Sequence, residues 1–137
     1  MEFDASTASS SSSALKIENS AKVIIRGAKP GAEFTEVKGA GQSGAFRLFH
    51  VRGEMSAEKI VFRDGSRPGT STAWGGAILV NLDATLYIRS CLFESNTANE
   101  RGGAIFVHAR ARASISDTTL RNNHVTGTGF AGAIYTK

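Results

Sequence analysis

The 137-residue sequence lacks two features that stabilise or anchor many small proteins, because it has one cysteine and no long apolar run. Cys91 cannot form an intrachain disulfide, and neither a second cysteine nor a histidine cluster predicts a zinc site. We therefore interpret Cys91 as a buried structural residue. No apolar stretch approaches the ~18 residues that a membrane-spanning helix needs, which excludes such a span. Packing must stabilise the fold.

The N-terminal segment has neither the basic stretch nor the apolar stretch of a secretory signal peptide. Its serine run, Ser9 to Ser13, is typical of a flexible linker, a tag remnant or a loop of a longer protein. We predict a flexible segment over residues 1–14 and one folded segment over residues 15–137.

An internal repeat organises the second half of the chain. GGAI occurs at Gly75 to Ile78 and at Gly102 to Ile105, and AGAI follows at Ala131 to Ile134, in steps of 27 and 29 residues. Gly44-Ala45-Phe46 predicts an earlier copy in which Phe46 corresponds to Ile78. Counted from the glycines, the matched pairs are Ile78 and Ile105, Val80 and Val107, Leu86 and Ala113, Ile88 and Ile115, Phe93 and Leu120, and Asn96 and Asn123.

Within each repeat the apolar positions lie two apart, which is the period of β-strands rather than of helices. Such strands bury their inward side chains only when the chain winds into coils that stack, with parallel pairing between neighbouring coils. The sequence therefore predicts an all-β fold, a β-solenoid of about four to five coils with three short strands per coil.

Equal offsets place like residues above one another in ladders. We expect an isoleucine ladder at 78, 105 and 134, an aromatic or leucine ladder at 62, 93 and 120, and an asparagine ladder at 96 and 123. The glycines are expected where the chain turns sharply into the first strand. The predicted structural positions of the repeat are Gly75, Gly76, Ile78, Phe93, Asn96, Gly102, Gly103, Ile105, Leu120, Asn123, Gly132 and Ile134.

The segment from Ile88 to Ile105, IRSCLFESNTANERGGAI, resembles the paired GGA[ILV] and FxxN repeats of the polymorphic outer membrane proteins of chlamydiae. It is also similar to related right-handed parallel β-helix repeats of the pectin-lyase-like superfamily. The strong resemblance covers residues 74–137, and a weaker one reaches back to about Leu15. It implies a right-handed parallel β-helix and, for the chlamydial family, a surface-exposed adhesin. A cell-surface or extracellular location is therefore an expectation from the resemblance.

The repeats run to Lys137 without a recognisable cap. A solenoid end that is left uncovered exposes unpaired backbone groups and an apolar interior. We therefore expect flanking solenoid coils of a longer protein or, as the alternative, partner subunits that cover both ends.

Titratable residues in the repeats do not form a recognisable catalytic or metal site. Arg63, Glu94 and Arg121 share one outward position, which predicts an ion ladder between coils. A catalytic dyad needs two carboxyl groups on one surface at ~5–10 Å, and no such stack is evident. His50 and His108 fall two coils apart, too far for one metal ion. We predict no catalytic residues, cofactor or metal.

Basic residues give the chain a net charge of +4 and a pI near 9.6, which favours anionic partners. Arg110, Arg112 and Arg121 are the candidate contacts, with a protein or an anionic glycan as the expected partner. Nucleic acid is not expected, because no aromatic residues interleave these arginines. Coil length varies at Gly65 to Ala73 and at Val125 to Gly129, so we expect recognition at these loops.

The function that these features favour is a non-enzymatic structural or adhesive module that displays its loops to partners. Two alternatives stay open. One is a fragment of a carbohydrate-active β-helix protein, of the polysaccharide lyase, hydrolase or epimerase type. The other is a scaffold subunit of a larger assembly.

Overall fold

A computed structural model describes residues 13–27, 35–40, 46–69 and 72–137. These residues form sixteen strands and contain no helix, so none of them builds a helix that could cross a membrane. The flexible segment predicted over residues 1–14 lies outside the described residues except for its last two. The strands are β1 (Ser13–Ile17), β2 (Lys22–Arg26), β3 (Thr35–Lys38), β4 (Arg47–Val51), β5 (Glu54–Glu58), β6 (Ile60–Arg63), β7 (Ser66–Arg67), β8 (Ile78–Val80), β9 (Thr85–Arg89), β10 (Leu92–Glu94), β11 (Thr97–Ala98), β12 (Ile105–Val107), β13 (Arg112–Ser116), β14 (Thr119–Arg121), β15 (His124–Val125) and β16 (Ile134–Thr136).

The strands stack into four parallel sheets, which together form a parallel β-solenoid. The first sheet has the order β1-β4-β8-β12-β16, the second β2-β5-β9-β13, the third β3-β6-β10-β14 and the fourth β7-β11-β15. The all-β solenoid predicted from the repeats is confirmed. Three complete coils, β4–β7, β8–β11 and β12–β15, lie between the strands β1–β3 and β16, so the predicted count of four to five coils is slightly high. The right-handed winding that the resemblance implies stays a prediction.

Each complete coil has a fourth strand that the sequence pattern did not predict. Strands β7, β11 and β15 are two residues long, and they pair with one another in the fourth sheet. A two-residue strand is too short to show an alternation of apolar and polar residues, so the periodicity that predicted the other three strands could not indicate it.

The predicted ladders form the core. Ile105 pairs in register with Ile78 on one side and with Ile134 on the other. In the third sheet Phe93 lies between Phe62 and Leu120, and the Phe62 and Phe93 rings stack with centroids 4.7 Å apart. These side chains belong to one continuous hydrophobic cluster that runs along the solenoid axis. The repeat therefore encodes the register as well as the strands.

The first predicted repeat unit is wrong in register at its opening strand. Phe49, not Phe46, pairs with Ile78, and Val51 pairs with Val80. Gly44 and Ala45 lie outside the described residues. Phe46 and Leu48 are buried together with Phe49 and Val51, so burial of apolar residues alone does not distinguish the two registers. The later positions of this unit, among them Met55 opposite Leu86, have the predicted register.

The paired glycines of the repeat serve two different purposes. Gly75 and Gly102 have φ values of 64° and 60°, in the left-handed region that glycine adopts without strain. Gly76 and Gly103 instead permit close packing between coils, because a Cβ on Gly103 would overlap the backbone oxygens of Gly132 and His124. The repeat glycines therefore combine a positive φ at the first position with a close backbone approach at the second.

The asparagine ladder is a hydrogen-bond column, in which Asn96 is buried and Asn123 is partly buried. The Asn96 side chain donates from Nδ2 to the Phe62 carbonyl and to Asn123 Oδ1, both at 2.9 Å, and its Oδ1 accepts the Gly65 N–H at 3.0 Å. Asn123 repeats the pattern one coil later, where its Nδ2 donates to the Phe93 carbonyl at 2.9 Å. The column therefore satisfies backbone groups at one corner of each coil.

Candidate functional site

The arginines predicted to contact an anionic partner lie on two sheets and one turn. Arg110 lies in the turn before β13, where it donates to both carboxylate oxygens of Asp83 at 3.0 and 2.8 Å. These bonds lower the pKa of Asp83. Arg121 pairs with Glu94 at 2.8 Å, whereas Arg112 is exposed in β13. Two of the three predicted arginines thus already have a carboxylate partner, and a role in binding stays a prediction for all three.

Ion pairs between coils cover the outer faces, as predicted for the column of Arg63, Glu94 and Arg121. These three residues are in register in the third sheet. Arg63 pairs with Glu36 at 3.0 Å, while Glu94 pairs with Arg121. In the second sheet further pairs join Lys22 to Glu54 and Arg89 to Glu58. Such exposed pairs contribute little to stability, but each of them neutralises a positive and a negative charge on this surface.

A cleft of about 620 Å³ opens on the outer face of the first sheet, and basic side chains dominate it. Strands β1 and β4, the residues around β8, the residue after β12 and the loop after β7 all contribute to it. We call it the cationic cleft. Its lining residues are Ser13, Lys16, Arg47, His50, Arg52, Arg67, Thr72, Trp74, Leu79, Asn81 and His108.

Arg47 is a buried cation at one side of the cationic cleft. Its side chain is held by three neutral acceptors, since it donates to the carbonyls of Gly75 and Trp74 at 3.2 and 2.7 Å and to Ser13 Oγ at 3.2 Å. Burial, followed by the charge of Arg67, lowers the pKa of Arg47 to about 9. Arg47 therefore stays protonated at neutral pH, and no carboxylate pairs with it among the described residues.

Three buried nitrogens of the cationic cleft have no hydrogen-bond partner in the part of the chain that the structure describes. They are His50 Nε2, His108 Nδ1 and Arg67 Nε. Burial, together with the charges of Arg47 and Arg52, lowers the pKa of His50 to about 4, so its ring is neutral at neutral pH. Since buried polar groups are normally satisfied, these three nitrogens make the wall of the cationic cleft unusual.

Stacked aromatic rings adjoin the cationic cleft. Trp74, which lines the cleft, stacks on Phe106 with centroids 4.6 Å apart, and Phe106 stacks on Tyr135 at 5.5 Å. The Trp74 Nε1 donates to Glu100 Oε2 at 2.7 Å, and the Arg101 guanidinium lies 5.8 Å from the Trp74 ring centroid. These contacts hold Trp74 in place.

The loops that we predicted to carry recognition both adjoin clefts. Gly65 to Ala73, of which residues 70 and 71 lie outside the described part, supplies Arg67 and Thr72 to the cationic cleft. The loop Val125 to Gly129 borders a shallower cleft of about 380 Å³, whose lining residues are Asn99, Glu100, Arg101, Thr128, Gly129 and Phe130.

Sequence reasoning missed the cationic cleft because its residues come from four levels of the stack. Lys16 and His108 lie 92 positions apart, and no motif connects them. In the sequence, His50 and His108 suggested only a two-histidine column for a metal ion. Among the residues in the described ranges, no group of three or more His, Cys, Asp or Glu side chains is arranged to hold a metal. The one feature of the sequence that pointed towards such a cleft was the excess of basic residues over acidic residues.

Comparison with known proteins finds a family model that matches part of the chain. Residues 90–108 match the family model described as the Chlamydia polymorphic membrane protein repeat. The match includes the FESN and GGAI motifs, and it spans β10, β11 and β12. No curated protein and no solved structure matches the chain. The chain therefore carries a repeat of the Chlamydia polymorphic membrane protein type within a parallel β-solenoid.

Proposed function

We propose that the chain is a non-enzymatic structural and adhesin-like module, which displays its loops to protein or glycan partners at the cell surface or outside the cell. The match over residues 90–108 carries this proposal, because the matched family is named as a membrane protein repeat. The matched residues form the coil itself, so the resemblance concerns the scaffold. The ligand must then be recognised by the parts that vary between coils.

The lengths of the connections between strands support recognition by loops. Strands β8 to β11 and β12 to β15 repeat with the same lengths and the same register. The connections before β8 and before β16 are longer than the connection between β11 and β12. Both longer connections border a cleft, since the first supplies Thr72 and Trp74 to the cationic cleft and the second supplies Thr128 and Gly129 to the smaller cleft.

The use of the carboxylates supports a non-enzymatic role. Asp83, Glu94, Glu54 and Glu58 each pair with a basic side chain of a neighbouring coil. A glycosidase-type mechanism needs one carboxyl group that donates a proton and a second that acts as base or nucleophile across the bond. The hydrogen bonds from Arg110 lower the pKa of Asp83, which suits a structural ion pair better than proton transfer.

A binding experiment tests the proposal. The immobilised chain is presented with a panel of glycans and with cultured cells, next to a loop variant that carries Thr128→Ala and Phe130→Ala. We expect saturable binding to a subset of the panel and weaker binding by the variant if the second loop contacts the ligand. If the chain showed saturable binding to none of the glycans and to none of the cell types, the adhesive role would be contradicted.

The non-enzymatic part has its own test. The chain is incubated with neutral and acidic polysaccharides, and the reaction is followed by release of reducing ends and by absorbance of unsaturated products. We expect neither signal above a heat-denatured control. Product formation that disappears in a Glu94→Gln or Asp83→Asn variant would show that the chain is a carbohydrate-active enzyme instead.

A further inference from the structure

We propose that the cationic cleft binds an acidic saccharide, whose carboxylate or sulfate groups pair with Arg47, Arg67 and Lys16. This inference rests on the proposed adhesive function, for which it supplies a site and a ligand class. Three features of the cleft carry it: its uncompensated charge, its rigidly held arginine and its length.

Charge is the first feature. Four cationic side chains, Lys16, Arg47, Arg52 and Arg67, line the cleft, and no acidic side chain lines it among the described residues. The nearby carboxylate of Glu18 reaches Arg52 at 3.5 Å and compensates only that charge. Like charges that converge in a concave surface produce a strong local positive potential, which attracts an anion. Elsewhere on the solenoid Arg63, Arg89, Arg110 and Arg121 each have a carboxylate partner, which neutralises those positions.

The second feature is that Arg47 is built into the wall. Its side chain is 3% exposed, and three of its five N–H groups are donated to Gly75, Trp74 and Ser13. A buried charge without a counter-ion is costly, and such groups are characteristic of binding sites. An incoming carboxylate or sulfate supplies the missing counter-charge, and it meets a guanidinium whose orientation is already fixed.

The third feature is the length of the cleft. From Lys16 on β1 to His108 after β12 it crosses three strand-to-strand steps, or ~14 Å at ~4.8 Å per step. A single inorganic anion fills only part of a cleft of about 620 Å³, whereas an oligosaccharide of two or three units extends along it. The cations lie on β1, on or directly after β4, and on β7, whereas the levels of β8 and β12 contribute the polar residues Asn81 and His108.

The neutral lining also matches a saccharide. The Thr72 and Asn81 side chains offer polar groups to the hydroxyl groups of a saccharide. Trp74 adds an aromatic surface, which suits the apolar face of a sugar ring. Single-stranded nucleic acid is less suited, because its binding uses successive aromatic side chains, whereas the lining residues of the cleft include Trp74 but no Phe or Tyr.

The same tryptophan provides a direct readout. Trp74 lines the cleft, so its intrinsic fluorescence reports on occupancy without a label. The chain is titrated with a trigalacturonate, with a sulfated disaccharide from heparin, with neutral maltotriose, with sodium sulfate and with a thymidine oligonucleotide. We expect a saturable change with the two acidic saccharides. We expect none with maltotriose, and only weak effects of sulfate and of the oligonucleotide.

Matched variants locate the site. Lys16→Gln combined with Arg67→Gln removes two cations whose side chains are not part of the core, and we expect affinity to fall at least about tenfold. Arg112→Gln removes one exposed cation outside the cleft, and we expect affinity within about twofold of the original. Arg47→Gln is expected to abolish binding. The Arg47→Gln substitution can also disturb folding. If that variant does not fold, the double variant decides the test.

Several results would overturn the inference. Equal affinity for maltotriose would show that charge is not recognised, and equal affinity for sulfate would show an inorganic anion site only. Tighter binding of the oligonucleotide would assign the cleft to nucleic acid. If Arg112→Gln lowered the affinity as much as the double variant does, the saccharide would be attracted diffusely to the whole basic surface.

The two proposals can fail separately. If the double variant binds cells and glycans like the original chain, the cleft inference fails while the adhesive function stands. If Trp74 responds to acidic saccharides as expected but no cell or immobilised glycan retains the chain, the adhesive function fails and the cleft is a site for a soluble saccharide.

Discussion

Two buried polar side chains, Asn96 and Arg47, show how differently this fold uses polarity at the level of single residues. Asn96 is completely buried, and its amide forms hydrogen bonds with backbone groups at the same corner and with the next asparagine of the column. Arg47 is nearly as buried, yet it has a charge that none of its three acceptors neutralises. The first arrangement stabilises the coil, whereas the second costs stability and leaves a charge available to a ligand.

We expect Asn96→Ala to lower the free energy of unfolding by about 2–4 kcal/mol, because the Gly65 N–H and the Phe62 carbonyl both lose a buried partner. Asn123→Ala, the matched change one coil later, should cost about 1 kcal/mol, since this position is partly exposed and water can replace the amide. Denaturant unfolding of both variants checks the difference. If both variants lost the same free energy of unfolding, burial of the asparagine side chain would not be what stabilises the column.

His50 makes stability depend on pH. Its pKa is about 4 in the folded chain because of burial and the charges of Arg47, Arg52 and Lys16, which the nearby Glu18 only partly offsets. An unfolded chain binds a proton at this ring near pH 6.5 and the folded chain only near pH 4, so stability must fall as the pH falls between these values. We expect a loss on the order of 1–2 kcal/mol after allowance for solvent screening.

The comparison of His50→Gln with the original chain isolates this effect, because the acidic residues titrate in both. Unfolding free energies measured from pH 7 to pH 4 should decline less steeply in the variant. Identical slopes would show that the ring is not protonated differently in the folded and unfolded states. An acidic saccharide in the cationic cleft should raise the pKa of His50 and reduce the slope in the original chain.

At the scale of strands and turns, the repeat specifies most of the fold. Identical offsets from GGAI were sufficient to predict the ladders of Ile105 and Phe93 and the asparagine column, because stacked coils must place equal positions above one another. The register of β4 was not predictable, since several adjacent residues there are apolar and all are buried. The cationic cleft was not predictable either, because it exists only once four levels of the stack and a loop are assembled.

The paired glycines allow a prediction at this scale. A Cβ on Gly103 would overlap the backbone of Gly132 and His124, whereas one on Gly132, at the corresponding position of the next repeat, would approach Asn123 O only to 3.3 Å. We expect Gly103→Ala to cost about 2–4 kcal/mol and Gly132→Ala about 1 kcal/mol or less. Thermal unfolding of the two variants tests this, and similar melting temperatures would refute the view that Gly103 is required for close stacking.

At the scale of the whole molecule, strand pairing in the described residues joins each coil to its neighbours along the axis, and burial follows position in the stack. Strand β12 lies between β8 and β16, and all three of its residues are buried. Strand β13 pairs with β9 alone, and four of its five residues are exposed. In such an array stability is approximately a sum of coil stabilities and contacts between adjacent coils, so different levels can open with different free energies.

Native-state amide hydrogen exchange should therefore show a gradient along the axis. We expect amides of β9 and β10, which have a strand on both sides, to exchange more slowly than amides of β13 and β14, which have a strand on one side. The relevant comparison is between strands of one sheet, because they share length, register and ladder position. Uniform protection across β9 and β13 would show that the chain opens only as one cooperative unit. Faster exchange in β9 than in β13 would contradict the stacking order itself.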